Sequence, residues 1–130
     1  MFQKELGKKI SGKHLTSDYS RLSILTKYKF KIFNNFLVSP NCFFPRPKID
    51  SMVIHFKAIK QDKYLIKDIT SLEKVTNILF SNKRKMINKN ITKILKSDQI
   101  KKMKNLNLKS RPSDLNPDTY YRITELFEEK

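Results

Sequence analysis

The sequence predicts a mixed α/β segment followed by a small all-α domain, with the change near residue 60. Two runs rich in Val, Ile and Phe, residues 29–38 and 50–59, are typical of strands. After residue 60 the apolar residues recur at spacings of three and four, which is the period of a helix. A chain of 130 residues with 38% hydrophobic residues can bury a core without disulfide bonds or metals. We therefore expect two units, residues 1–60 and 61–130.

The first unit is expected to contain two helices and an antiparallel ribbon. Helices are predicted at residues 4–10 and 21–28, with a polar loop between them. The ribbon pairs residues 29–38, a strand in which a bulge fits the pattern, with residues 50–59. The connection between these strands contains prolines that exclude both a helix and a central strand: Pro40, Pro45 and Pro47. The connection should therefore be rigid.

The second unit begins and ends with helices that carry clear start signals. Asp68 or Thr70 can cap a helix that ends near Ser81. Asn116 can cap the last helix, with Pro117 at its first position, where the missing N–H of proline is harmless. We expect these two helices to supply much of the core of the second unit.

Between these helices the sequence predicts an amphipathic helix over residues 83–96. One side of this helix would carry its apolar residues: Met86, Ile87, Ile91, Ile94 and Leu95. The opposite side would carry a basic stripe at spacings of three and four: Lys85, Lys89, Lys93 and Lys96. Ser97 or Asp98 would then cap a short helix that ends near Met103.

The net charge and its distribution predict a polyanionic partner. The chain has 28 basic and 12 acidic residues, a net charge of +16. Residues 83–104 alone contain 9 basic residues and one acidic residue, Asp98, so this segment carries +8, half of the total. An AT-rich genome would raise the lysine content, but it does not explain this concentration of charge. Nucleic acid is therefore the first expected partner, and an acidic membrane surface the second.

Several classes of site and location are excluded by composition. The single cysteine, Cys42, excludes a disulfide framework and a Cys-rich zinc site, and neither His14 nor His55 has metal-ligating neighbours in the sequence. With only two glycines the chain cannot build a Gly-rich phosphate loop. No apolar run approaches the length of a membrane span, about 18 residues, or of a signal-peptide core. We therefore expect no metal, no membrane-spanning segment and a cytoplasmic protein, and with nucleic acid as the first expected partner we assign no membrane partner.

The proline-rich connection has the composition of a base-stacking element. Phe43 and Phe44 stand beside two prolines and two cations, Arg46 and Lys48. Prolines restrict the backbone, so an exposed aromatic ring beside them loses little entropy when a nucleobase stacks on it. The alternative is that both phenylalanines cap the core of the ribbon. With two adjacent phenylalanines on an extended segment, we expect one ring to point outward.

Five short segments, in order along the whole chain, resemble the ribosomal RNA adenine dimethyltransferase family. The opening Phe2–Glu5 resembles the Q-K-E segment of that family, which lies at a strand-to-helix junction. Residues 18–25 resemble D-Y-G-R-L-S-V-L, and residues 43–51 resemble F-x-P-x-P-x-V-D-S. Residues 80–90 resemble F-x-x-R-R-K followed by R-N-N, and residues 111–115 resemble R-P-x-x-L. Three positions depart from the pattern: Ser20 stands for a glycine, Lys83 for an arginine and Met86 for a threonine.

The resemblance implies the fold and the reaction. Residues 1–60 would be the end of a Rossmann-like methyltransferase domain, and residues 61–130 a helical rRNA-binding domain. The family uses S-adenosylmethionine to dimethylate N6 of two adjacent adenines in a small-subunit rRNA hairpin, during ribosome biogenesis. The cofactor and the catalytic motif would be held by an N-terminal half that precedes Met1, so this chain alone should be inactive. We expect a monomer of bacterial type, with an organellar origin as the alternative.

The resemblance also implies roles for particular residues. Phe43, with Phe44 as the alternate, would stack on the target adenine after the base leaves its helix. Arg46 and Lys48 would contact neighbouring phosphates. A further basic set would contact the rRNA backbone rather than its bases: Lys83, Arg84, Lys85 and Lys89.

Two other functions are consistent with the same sequence. The chain could be a non-catalytic, basic RNA-binding module that docks on the ribosome. It could also belong to the related methyltransferases that act on large-subunit rRNA and confer antibiotic resistance, which share the proline-rich motif. The ending at Arg111–Leu115 and the basic run at residues 83–90 favour the small-subunit enzyme over these relatives.

Overall fold

The polypeptide divides into two units, Met1–Lys60 and Gln61–Lys130. The computed structural model describes residues 1–42, 50–60 and 63–129 of the chain. In these ranges the first unit combines helices with a small sheet, and the second contains helices and turns, which confirms the predicted α/β class with a helical second part. No helix in the described ranges has the length and hydrophobicity needed to cross a membrane.

The sheet of the first unit has three antiparallel strands in the order β1-β3-β2. The predicted ribbon is confirmed as β2 (Phe30–Val38) paired with β3 (Ser51–Ala58). The register shifts between Ile32 and Asn34, so Phe33 forms the bulge. The two residues of β1 (Phe2–Gln3) are too few to show an alternating pattern, but the resemblance of Phe2–Glu5 to a strand-to-helix junction implied this strand, and the structure confirms it.

Two helices flank this sheet, and their sequences explain how they pack. Helix α1 (Lys4–Ser11) lies against β3 through Gly7, where an added Cβ would come within 2.8 Å of the Met52 sulfur. Met52 also belongs to the small core of this unit, together with Ile10 and Ile54. Helix α2 (Arg21–Lys29) begins after Ser20, which is extended at φ −155° and forms a capping box with Ser23. A serine is therefore accommodated where the family pattern has a glycine.

The two long helices of the second unit form as predicted. Helix α3 (Ile69–Phe80) is capped by Asp68, whose carboxylate accepts a 3.0 Å hydrogen bond from the Thr70 N–H. Helix α6 (Pro117–Glu128) is capped by Asn116 in the same way, through the Thr119 N–H at 2.8 Å. These helices share a core whose fully buried members include aliphatic residues of both and one tyrosine: Leu72, Val75, Leu79, Ile123, Leu126 and Tyr120.

The predicted continuous helix over residues 83–96 was wrong. Only α4 (Asn88–Ile91) is α-helical in this stretch. The short helix predicted next is present as α5 (Ser97–Lys101), but its N-cap is Lys96 rather than Ser97 or Asp98, and it ends before Met103. The apolar positions from Ile87 onward are buried as expected, but Met86 is 46% exposed. The hydrophobic pattern therefore identified most of the buried residues while overestimating the regularity of the backbone.

Unfavourable charge at its start and one long-range hydrogen bond explain why the helix does not extend to Lys83. Three consecutive cations, at residues 83–85, would crowd the N-terminal end of a helix, where the helix dipole favours negative charge. The Ile87 N–H donates instead to the carbonyl of Ser110, at 2.9 Å. Asn88 accepts a 2.9 Å hydrogen bond from the Lys89 N–H, a side-chain contact that competes with helical pairing.

Candidate nucleic-acid interface

The basic residues of segment 83–104 form an exposed, positively charged surface, which we call the basic surface. All nine of them are solvent-exposed: Lys83, Arg84, Lys85, Lys89, Lys93, Lys96, Lys101, Lys102 and Lys104. They lie on turns and on two short helices rather than along one helical stripe. The four predicted backbone-binding residues all fall in this set, between the end of α3 and the end of α4.

Buried neighbours hold the backbone of this surface in place. Ile87 and Ile91 are fully buried, so the residues between them are anchored at both ends. The Asn90 amide donates to the Ser81 hydroxyl at 3.3 Å, which ties α4 to the end of α3. The Thr92 hydroxyl donates to the Lys89 carbonyl at 2.6 Å. The lysine side chains therefore project from a backbone that is already ordered, which reduces the entropy lost when they bind a ligand.

Few carboxylates compete for these cations. Among the residues that the structure describes, Lys102 is the member of the basic surface that pairs with a carboxylate, that of Glu129 at 3.8 Å. Asp98, the acidic residue of segment 83–104, is exposed at the start of α5. Solvent-exposed cations with a net excess of charge attract phosphates and release counterions on binding. The surface is thus suited to a nucleic-acid backbone.

The predicted base-stacking segment lies outside the described residues. The range 43–49 contains all four residues of this segment that were assigned a role: Phe43, Phe44, Arg46 and Lys48. Their roles stay predictions from the sequence. The described residues on either side do limit where this connection begins and ends. Val38 pairs with Ser51 at one end of the β2–β3 ribbon, so the two ends of the connection leave the sheet side by side.

Neither glycine contributes to a phosphate-binding loop. Gly7 lies inside α1 and allows that helix to approach Met52. A Cβ at Gly12 would come within 2.3 Å of the Asp18 carbonyl oxygen, so this glycine permits a close contact between two parts of a loop. Both glycines therefore serve close packing in the first unit. Over residues 1–42, 50–60 and 63–129 there is also no group of three His, Cys, Asp or Glu side chains that could hold a metal.

Sequence reasoning missed a second basic and aromatic cluster, which lies in the first unit. Phe33, at the bulge of β2, is exposed beside Lys31 and Lys57. One signal for this cluster is visible in the sequence, because the apolar alternation of β2 breaks at residues 33–35. The pairing of Lys31 with Lys57 across the strands depends on the register and could not be obtained from composition.

Comparison with known proteins identifies the family. The family model for ribosomal RNA adenine dimethylase matches residues 1–129. This match covers nearly the whole sequence, and the chain therefore belongs to the ribosomal RNA adenine dimethylase family, as its five motifs predicted.

The curated relatives support this assignment and show what fraction of their length the chain spans. The chain is 35% identical over 130 residues to ribosomal RNA small subunit methyltransferase A of Pelagibacter ubique, and covers 49% of that protein. It is 28% identical to the protein of the same name from Shewanella piezotolerans, of which it covers 48%. The chain thus spans about half the length of the curated relatives it matches.

Two solved structures share the fold. A dimethyladenosine transferase from Plasmodium falciparum superposes with a TM-score of 0.68 at 21% identity, over 94% of this chain and 53% of that one. The 23S rRNA methyltransferase ErmE superposes with a TM-score of 0.60 at 18% identity, over 97% of this chain and 52% of that one. At these identities the likeness establishes the fold alone.

Proposed function

We propose that this chain is the C-terminal part of an rRNA methyltransferase that dimethylates N6 of two adjacent adenines in a small-subunit rRNA hairpin. The observation that carries the proposal is the family match over residues 1–129, in a chain that spans about half of its relatives. The names of those relatives, small subunit methyltransferase A, favour a small-subunit rRNA target. The natural partner would be small-subunit rRNA or a precursor of that subunit, bound by a cytoplasmic monomer.

In this proposal the second unit binds the rRNA backbone. The basic surface contains exposed cations on an ordered backbone, and one ion pair with a carboxylate is found in its described residues. Lys83, Arg84, Lys85 and Lys89 would contact phosphates, which supplies affinity without reading sequence. Selection of the correct adenines would then depend on the shape of the hairpin and on contacts made by the other unit.

The proline-rich connection would hold the target base. A base must leave its stack before its exocyclic nitrogen can react, and the displaced base is commonly held by aromatic side chains. We assign this role to Phe43, with Phe44 as the alternate, and place Arg46 and Lys48 on neighbouring phosphates. The pairing of Val38 with Ser51 supports the assignment, because it anchors both ends of the connection on one end of the ribbon.

S-adenosylmethionine would be bound by residues that this chain does not contain. The family resemblance implies this cofactor, while both glycines of the chain serve close packing instead of a phosphate-binding loop. We therefore expect the isolated 130-residue chain to show no measurable affinity for S-adenosylmethionine in calorimetry. Binding at micromolar concentrations would contradict the assignment of this chain to the part of the enzyme without the cofactor site.

A non-catalytic RNA-binding module is the second candidate function. The observation in its favour is that the chain spans about half of its relatives and carries the basic surface. The two functions predict different DNA sequences upstream of the Met1 codon. An upstream reading frame, continuous with the Met1 codon and encoding a Gly-rich loop, would support the enzyme. A stop codon directly upstream would support the module.

The decisive experiment is complementation in a bacterial strain that lacks its own small-subunit rRNA adenine dimethyltransferase. The complete gene is expressed in one culture and the 130-residue chain in another, and dimethylated adenines are detected as primer-extension stops on small-subunit rRNA. We expect the stops to return with the complete gene and not with the chain alone. Soluble, folded product of the complete gene without any rRNA dimethylation would refute the proposed function.

A further inference from the structure

An exposed aromatic ring on β2 lies among positively charged side chains. Phe33, at the bulge, is 52% exposed. The Nζ atoms of Lys31 and Lys57 lie 5.5 Å and 5.8 Å from the centre of its ring, one from each strand of the ribbon. The ring of His55 lies 5.7 Å away in a tilted orientation. The bulge thus directs a large apolar side chain into a cationic part of the sheet surface, where it buries little area.

The two lysines directly oppose each other in the strand register. Lys31 pairs with Lys57, and like charges at opposed positions destabilise a sheet. Interaction with the face of the Phe33 ring offsets part of this repulsion. A bound anion would offset more of it. The arrangement is therefore easier to explain as a binding feature than as a contribution to stability.

A cavity of about 500 Å³ lies next to the same ring, along β2, which is an outer strand of the sheet. Its lining includes Phe33 together with three lysines, Lys13, Lys27 and Lys31. The Lys27 ammonium donates to the Gly12 carbonyl at 3.1 Å. The pKa of Lys27 is lowered, mainly by burial and to a lesser degree by the nearby charge of Lys13. Volumes of this size are typical of small-ligand sites. Positive charge is thus concentrated beside an exposed aromatic face.

We propose that Phe33 and this lysine-lined cavity form a docking site for one unpaired nucleotide of RNA. The base stacks on the Phe33 ring, and the phosphates on either side lie among Lys31, Lys57 and Lys13. The site uses residues other than those assigned to the target base, and it involves no chemistry. It rests on the proposed function only in taking RNA as the partner. We favour RNA over a protein partner because a cationic cavity beside an exposed aromatic ring complements a phosphate and a base.

The absence of tryptophan from the sequence allows a direct test. In a Phe33→Trp variant of the 130-residue chain, the single indole would report on stacking, because a stacked base quenches its fluorescence. The matched control is Phe36→Trp, since Phe36 lies on the same strand and is 54% exposed. Both variants are titrated with a short oligouridine, after circular dichroism has shown that their melting temperatures equal that of the unsubstituted chain.

We expect saturable quenching in Phe33→Trp and little change in Phe36→Trp. Phe33→Ala should weaken binding of the oligouridine by about tenfold, whereas Phe36→Ala should change it less than about twofold. Replacing both Lys31 and Lys57 with alanine should also reduce the salt dependence of binding, by up to about 1.4 log units per decade of salt on a single strand. The lysine variants leave the ring in place and so separate the charge from the stacking contact.

Other outcomes would overturn the site in distinguishable ways. Equal quenching in both tryptophan variants would show general contact with RNA rather than a stacking site. Binding of RNA without quenching in Phe33→Trp would overturn the site while leaving the RNA-binding role of the basic surface intact. Quenching that depends on protein concentration without RNA would assign the patch to a protein contact. No binding of any RNA by the unsubstituted chain would contradict the proposed function as well.

Discussion

Replacing Lys85 and Lys89 together with alanine is expected to weaken RNA binding without changing the fold. Both side chains are exposed. The hydrogen bonds at Lys89 use its main-chain N–H and carbonyl, which alanine retains. Exposed substitutions of this kind change the free energy of unfolding by less than about 0.5 kcal/mol. A loss of binding can therefore be attributed to the missing charges.

The size of the loss follows from the number of phosphate contacts. Each contact with a duplex contributes about 0.9 to the slope of log affinity against log salt, so two lost contacts should reduce the slope by about 1.8. At about 0.1 M salt the same relation gives up to about a sixtyfold loss of affinity. The reduction should be nearly equal for RNA hairpins of unrelated sequence, because phosphates carry no base information.

The assay is fluorescence anisotropy with several labelled RNA hairpins over a series of salt concentrations. The matched control replaces Lys67 and Lys74, two exposed lysines of the same unit that lie in the electrically neutral segment 61–82. This control should leave the slope nearly unchanged. If the two double variants reduce the slope equally, binding follows net charge alone, and the reasoning that singles out the basic surface is refuted.

Three further predictions concern other residues. In the complete enzyme, Phe43→Ala should slow methylation about tenfold to a hundredfold, because stacking of a base contributes about 1–3 kcal/mol. Phe43→Trp should keep most activity. Phe44→Ala is the control, and selective slowing of methylation by Phe44→Ala would exchange the roles of the two residues. Tyr120→Phe should lower the free energy of unfolding by about 1–2 kcal/mol in denaturant titrations, because the buried Tyr120 hydroxyl donates to the Pro112 carbonyl. Hydrogen bonding from Thr70 lowers the pKa of Asp68 from its ordinary value of 3.8, so Asp68 stabilises the fold above that pH and loses this effect as the pH falls through the lowered pKa. Asp68→Asn should keep the cap but remove this acid sensitivity from thermal melts; an unchanged pH profile would contradict this origin.

Local chemistry made most elements of the fold predictable. Asp68 and Asn116 identified the starts of α3 and α6 because their short polar side chains satisfy N–H groups only a few residues away. The prolines between β2 and β3 and the apolar runs on either side predicted the ribbon. The family was recognisable for a related reason, since its motifs are short runs of neighbouring residues that need no tertiary information. The concentration of charge in segment 83–104 was also visible in the sequence.

Tertiary contacts decided the features that local patterns could not. Residues 83–96 have helical periodicity, but the Ile87 N–H pairs with Ser110, far along the chain, and only Asn88–Ile91 remains α-helical. The sequence alone determined that the apolar residues from Ile87 onward are buried and that the cations of this stretch are exposed, because burial follows hydrophobic spacing; Met86 is the exception. Long-range hydrogen bonds decided which backbone groups pair. Strand register decided that Lys31 opposes Lys57 beside Phe33. Such contacts join residues distant in sequence, so no local pattern encodes them.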